Sequence, residues 1–178
     1  MNNDKFSPLT RSILIGGAAA GVLDAADAIV AFKLVLGFDP IPIYQFVASG
    51  LLGPSAFTSG ASAWLGVAVH FLIAFSAAAV FSLAARRSPM LLRSAALSGP
   101  LFGVGVFVVM NYLVIPLSRI APSPFSLALF LNGVIGHAAL VGLPIALAAR
   151  RYLEATPDGS ASRYGTVGRG LTRAVHDP

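Results

Sequence analysis

Gly17-Ala18-Ala19-Ala20-Gly21-Val22-Leu23-Asp24-Ala25-Ala26-Asp27-Ala28 lies inside a long apolar run, Ser12 to Leu36. Two carboxyls in such a run are costly. On an insertion scale each opposes a spanning helix by roughly 2.5 to 3.5 kcal/mol near its centre, while each Ile, Leu, Val or Phe returns only roughly 0.3 to 0.6 kcal/mol. The run can therefore enter a membrane only among neighbours that take the acids inward. At 100° per residue, Gly17, Ala20, Gly21, Asp24, Asp27, Ala28 and Ala31 share one stripe, and the larger Leu14, Val22, Leu23, Ile29 and Phe32 lie mostly elsewhere. Gly17 and Gly21 form a GxxxG, so this stripe is expected to meet protein rather than lipid.

Three more runs of the same kind follow, at 61–85, 94–117 and 125–149, beside the first at 12–36. Each is long enough, at about 1.5 Å per residue, to cross a hydrocarbon core about 30 Å thick. They are apolar on nearly every side, which excludes the in-out alternation of a barrel strand. The whole chain is 56% hydrophobic and 11% charged with a mean hydropathy of +0.81, against roughly 25% charged residues in soluble domains. The expected fold is all-α: a polytopic membrane protein, a four-transmembrane-helix bundle in one domain, residues 1–151. The first run lacks a short apolar core with a small-residue cleavage site, so it is expected to be retained.

Between the first two runs, residues 40–53 open with Asp39-Pro40 and close at Gly53-Pro54, a helix start and stop. The piece is too short to span. A short interfacial helix on the outer surface is expected, with Tyr44 and Phe46 at headgroup depth. Lys5, Arg11, Arg86, Arg87, Arg93, Arg150 and Arg151 flank one end of the runs, and only Lys33 and Arg119 the other. The positive-inside rule then puts both termini in the cytoplasm, and residues 152–178, rich in Gly, Ser and Arg, read as a disordered cytoplasmic tail. Keeping the first run outside would send Lys5 and Arg11 to the wrong side. The net charge of +5 is a topology signal and not a nucleic-acid footprint. With no cysteine, thiol chemistry and thiolate metal sites are excluded.

Counting from the flanking arginines at about 1.5 Å per residue, Asp24, Asp27, His70, His137, Asn111 and Asn132 all fall about 20 to 27 Å up, in one polar layer. His70 has Gly66, and His137 has Gly133, one turn before it, so both rings leave from helix-packing faces. Asp–His meetings would stabilise charged forms that hydrocarbon disfavours. Three functions fit. The layer can be a route for protons or cations linked to passage of a small solute. It can simply hold together the helices of a structural or accessory subunit. Or it can bind a divalent metal or, between His70 and His137, a haem, although AspxxAsp with distant His is no specific ligand spacing and no cofactor is expected with confidence. Ser49-Gly50 and Ser59-Gly60 lack a GxSxG context or a placed base, so no catalytic residue is assigned. Partners expected are the lipid bilayer and a second copy or another membrane subunit.

The stretches AlaAlaAlaGlyValLeuAspAlaAlaAspAla (18–28), GlnPheValAlaSerGlyLeuLeuGly (45–53), ValHisPheLeuIleAlaPhe (69–75) and ValGlyLeuProIleAlaLeuAlaAlaArgArg (141–151) resemble a group of small four-span bacterial inner-membrane proteins with no assigned function. The resemblance covers Ile13 to Arg151. It implies the topology and a bacterial inner membrane, and no activity.

Overall fold

The computed structural model describes residues 6–154; Lys5 and the tail beyond Glu154 lie outside the described residues. All regular structure among these residues is helical: α1 (Pro8–Leu36), α2 (Pro40–Leu52), a 3-10 turn (Gly53–Phe57), α3 (Ser62–Arg87), α4 (Pro89–Arg93), α5 (Ala95–Leu117) and α6 (Leu127–Leu153). Of these, α1, α3, α5 and α6 are long and apolar enough to cross a membrane. The last helix runs to Leu153, which packs against the core, so Tyr152 and Leu153 belong to it and not to the expected tail.

Local chemistry sets the ends. Pro8 occupies the first turn of α1, and the amide of Thr10 donates to Ser7 Oγ at 3.1 Å. Gly37, at φ 73°, ends it. Ser126 caps α6 through the amide of Leu129. Two wide π-helical turns interrupt the long helices, Met110–Val114 in α5 and His137–Gly142 in α6. Each contains the residue four before a proline, Tyr112 before Pro116 and Leu140 before Pro144. A proline removes one amide and presses on the carbonyl four residues back, and a widened turn accommodates both. Pro100 lies inside α5 with no widened turn before it.

The four long helices pack in the order α3, α1, α6, α5, each antiparallel to its neighbour. Glycines fix the register. Gly17 and Gly21 of α1 receive Phe75 and Phe71 of α3, and Gly16 lies against Ile145 and Ala148 of α6. Gly99 and Gly103 of α5 lie against Gly142 and the backbone of His137, the closest backbone approach between α5 and α6. Ala20, Ala78, Phe81, Ala85, Ala95, Ile145, Ala146 and Ala149 form a dry core toward the end that carries Arg11, Arg86 and Arg150. Within it the hydroxyls of Ser12 and Ser82 bond to each other at 2.8 Å. At the opposite end α2 packs on α3, with Gly66 accommodating the backbone of Tyr44.

Candidate functional site

Above the dry core, α1 presents Asp24 between two imidazoles. Asp24 Oδ2 lies 3.9 Å from His70 Nδ1 on α3, and Asp24 Oδ1 lies 3.7 Å from His137 Nδ1 on α6. The antiparallel registers that the glycines impose produce this meeting. Gly21 seats the ring of Phe71, which carries the adjacent His70 to the height of Asp24. Gly103 abuts His137 at its carbonyl, which holds the wide turn where that ring originates. All three side chains are mostly buried, with 15 to 22% of their surface accessible.

The hydrogen bonds of the rings determine where their protons are. His70 Nε2 lies 2.8 Å from the carbonyl oxygen of Gly21. A carbonyl can only accept, so Nε2 carries hydrogen and donates, and in the neutral ring Nδ1 presents a lone pair to Asp24. His137 Nδ1 lies 2.9 Å from the carbonyl oxygen of Gly133. There the hydrogen is on Nδ1, donated to Gly133, and the same nitrogen lies 3.7 Å from Asp24 Oδ1. The two neutral rings are thus opposite tautomers converging on one carboxyl. At 3.7 and 3.9 Å the contacts are electrostatic, and a movement of about 1 Å makes either one a hydrogen bond.

Asp27, one turn further along α1, has a different neighbour. Asn132 Nδ2 donates to its Oδ2 at 2.8 Å, and the carboxyl lies against Gly136, where any side chain would collide with it. This is an interhelical clamp between α1 and α6. Asn111 does not join the cluster: it is exposed and donates to the carbonyl of Phe107 in its own helix at 3.0 Å. Gly133 receives the ring of Phe107, which also stands edge-on to His137 at 5.5 Å. Lys33 is turned away from both acids and pairs with Asp39 at 2.7 Å in solvent.

Tyr44 is a member of the site that sequence reasoning assigned elsewhere. Instead of lying at the surface of α2, its ring stands edge-on to His70, centroids 6.2 Å apart. Burial raises the ionisation point of its hydroxyl above the ordinary value, and the negative charge of Asp24 adds to the shift.

The chemistry available is proton exchange. A proton on Asp24 Oδ2 can pass to the Nδ1 lone pair of His70, converting a neutral acid and neutral ring into a carboxylate and an imidazolium. Among the described residues no group of three or more His, Cys, Asp or Glu could hold a metal ion. A haem between His70 and His137 would have to displace the Asp24 carboxyl that lies between them. A surface hollow of about 460 Å³, lined by Leu147, Arg150, Arg151 and Glu154, is at the far end of α6, away from these groups. No family model matches the chain, and no match is found among curated proteins or solved structures.

Proposed function

We propose that the chain is a four-span membrane protein that binds and releases protons at Asp24, His70 and His137, in support of proton-linked passage of a small solute. The observation that carries this reading is a single carboxyl held within 4 Å of two imidazoles, each of which is hydrogen-bonded to a backbone carbonyl. Inside hydrocarbon, ionisable groups are retained where charge has to move. Asp24 can exchange a proton with His70 and then, by a small swing, draw the N–H of His137 away from Gly133.

The membrane placement rests on four apolar helices and on the clustering of Arg11, Arg86, Arg87, Arg93, Arg150 and Arg151 at one end of them, which the positive-inside rule makes cytoplasmic. In this orientation α2 is the interfacial segment on the outer side and both termini are cytoplasmic. A bacterial inner membrane is the setting that the sequence resemblance implies. The lipid bilayer and a second copy or another membrane subunit are the partners this reading expects. The competing reading, a subunit that only scaffolds, is favoured by the Asp27–Asn132 clamp and applies to that pair.

Purified protein in vesicles loaded with a pH-sensitive dye tests the proposal under an imposed potassium diffusion potential. Wild type is expected to acidify or alkalise the lumen above the protein-free leak, and Asp24→Asn to lower the protein-dependent rate at least tenfold. Equal rates for the two proteins, both folded, would overturn it.

A further inference from the structure

The last turns of α6 carry a group of side chains that the proton chemistry does not use. Over Leu143–Leu153 the buried residues are Ile145, Ala146, Ala148 and Ala149, which at 100° per residue gather on one side of the helix. Leu147, Arg150, Arg151 and Glu154 are all exposed and fall on the opposite side, facing out of the bundle. These four residues line the hollow of about 460 Å³. A hollow on the outward side of a spanning helix opens toward lipid.

Height decides which part of a lipid meets it. Leu147 is apolar and 47% exposed, and Arg150 and Arg151 follow one turn later, about 4.5 to 6 Å nearer the end of the span. A phospholipid makes the same change at the same level, from acyl chain to phosphate. Charge decides which lipid. Arg150 Nε donates to Glu154 Oε2 at 3.2 Å, which leaves the N–H groups of both Nη nitrogens for another acceptor. Arg151 forms no ion pair with any described residue. Glu154 is also the only acid at this end among the described residues, against Arg11, Arg86, Arg87, Arg93, Arg150 and Arg151. A guanidinium fork matches phosphate oxygens in geometry as well as in charge, and basic recesses on the cytoplasmic side of spanning helices suit anionic headgroups.

We infer that this hollow binds an anionic phospholipid of the cytoplasmic leaflet, with its phosphate on Arg150 and Arg151 and the start of an acyl chain on Leu147. Glu154 is a positioning residue: it holds Arg150 by Nε and leaves the Nη edge to the phosphate. The inference rests on the membrane placement and orientation of the chain, and not on proton exchange at Asp24.

The chain has a single tryptophan, Trp64, at the opposite end of the bundle, so Trp64→Phe/Leu147→Trp moves the only indole into the hollow. Full-length protein in mixed vesicles of phosphatidylglycerol and phosphatidylcholine, with one or the other brominated on its acyl chains, reports by quenching how strongly each lipid binds there. Phosphatidylglycerol is expected to bind at least fivefold more strongly than phosphatidylcholine. Adding Arg150→Gln/Arg151→Gln should bring the ratio close to one, whereas Arg86→Gln/Arg87→Gln or millimolar inorganic phosphate should leave it unchanged. Equal binding of the two lipids, a preference that survives loss of Arg150 and Arg151, an equal fall on loss of Arg86 and Arg87, or displacement by free phosphate would overturn the site. Quenching by neither lipid would overturn it together with the membrane placement. The expected preference in a protein without proton flux supports the lipid site and removes the proton-passage reading alone.

Discussion

Toward the arginine-bearing end, α1 meets its neighbours through Gly16, Gly17 and Ala20, and the polar pair there, Ser12 with Ser82, is sealed from solvent with its hydrogen bond complete. A few turns along the same helix, Asp24 faces two rings at distances too long for hydrogen bonds, and none of the three side chains is fully buried. One helix thus runs from a region where every partner is fixed to one where partners are in reach but unengaged. The difference teaches how a small bundle can be rigid and reactive at once. Close packing of glycine and alanine supplies the register, and the register leaves the acid suspended between two bases.

Breaking the close helix packing that sets the register should have the largest effect. Gly103→Leu drives a side chain into the backbone of His137; overpacking of this kind costs about 1 to 3 kcal/mol or more. Thermal unfolding in detergent should show a clear drop in midpoint, and a midpoint equal to wild type would mean that the α5–α6 seam is not closed. A smaller loss is expected from Ser12→Ala or Ser82→Ala. Each single change leaves a buried hydroxyl without a partner and should cost about 1 kcal/mol, and the double variant should cost less than the two added together. Additivity in that cycle would dissolve the pairing.

In the reactive half, Asn111→Ala sharpens the boundary of the site. Its amide bonds within its own helix and is exposed, so stability should stay within about 0.5 kcal/mol of wild type and proton flux should not change. A tenfold loss of flux would return Asn111 to the cluster. The subtlest effect is alkaline. Because burial first and Asp24 second raise the Tyr44 ionisation point, its neutral form stabilises the fold fully below the ordinary tyrosine value of about 10, and the contribution fades as pH climbs through the higher folded value. The phenolate absorbance of wild type minus that of Tyr44→Phe should therefore titrate above the ordinary value. A difference curve at or below it would contradict the seating of Tyr44 over His70.

Much of this was legible from residues. Four helices long and apolar enough to span followed from run lengths and composition, and the Gly17–Asp27 stripe correctly turned its acids toward neighbouring helices. Height along a helix was legible to within about a turn: counting sets His137 level with Asp24 and His70 level with Asp27, whereas the structure brings both rings to Asp24 and gives Asp27 to Asn132. Azimuth was not. Asn111 groups with the layer by height alone, and the structure leaves it exposed and bonded within its own helix. That the Tyr44 ring also meets His70 follows from the fit of its backbone into the notch at Gly66, a tertiary contact that helix-start and helix-stop residues do not encode. Gly99 and Gly103 close the α5–α6 seam and Gly136 makes room for Asp27, fits that appear only when the helices are packed.

The central claim, that Asp24 stands between two rings poised to trade protons, is tested most directly by the tautomers of those rings. Nitrogen-15 NMR of histidine-labelled protein in lipid, assigned with His70→Gln and His137→Gln, reports which ring nitrogen holds hydrogen. In the neutral state His70 should carry it on Nε2, bonded to Gly21, and His137 on Nδ1, bonded to Gly133. Neutral His70 with its hydrogen on Nδ1 would set a lone pair against the Gly21 carbonyl and remove the proton acceptor from in front of Asp24, contradicting the account.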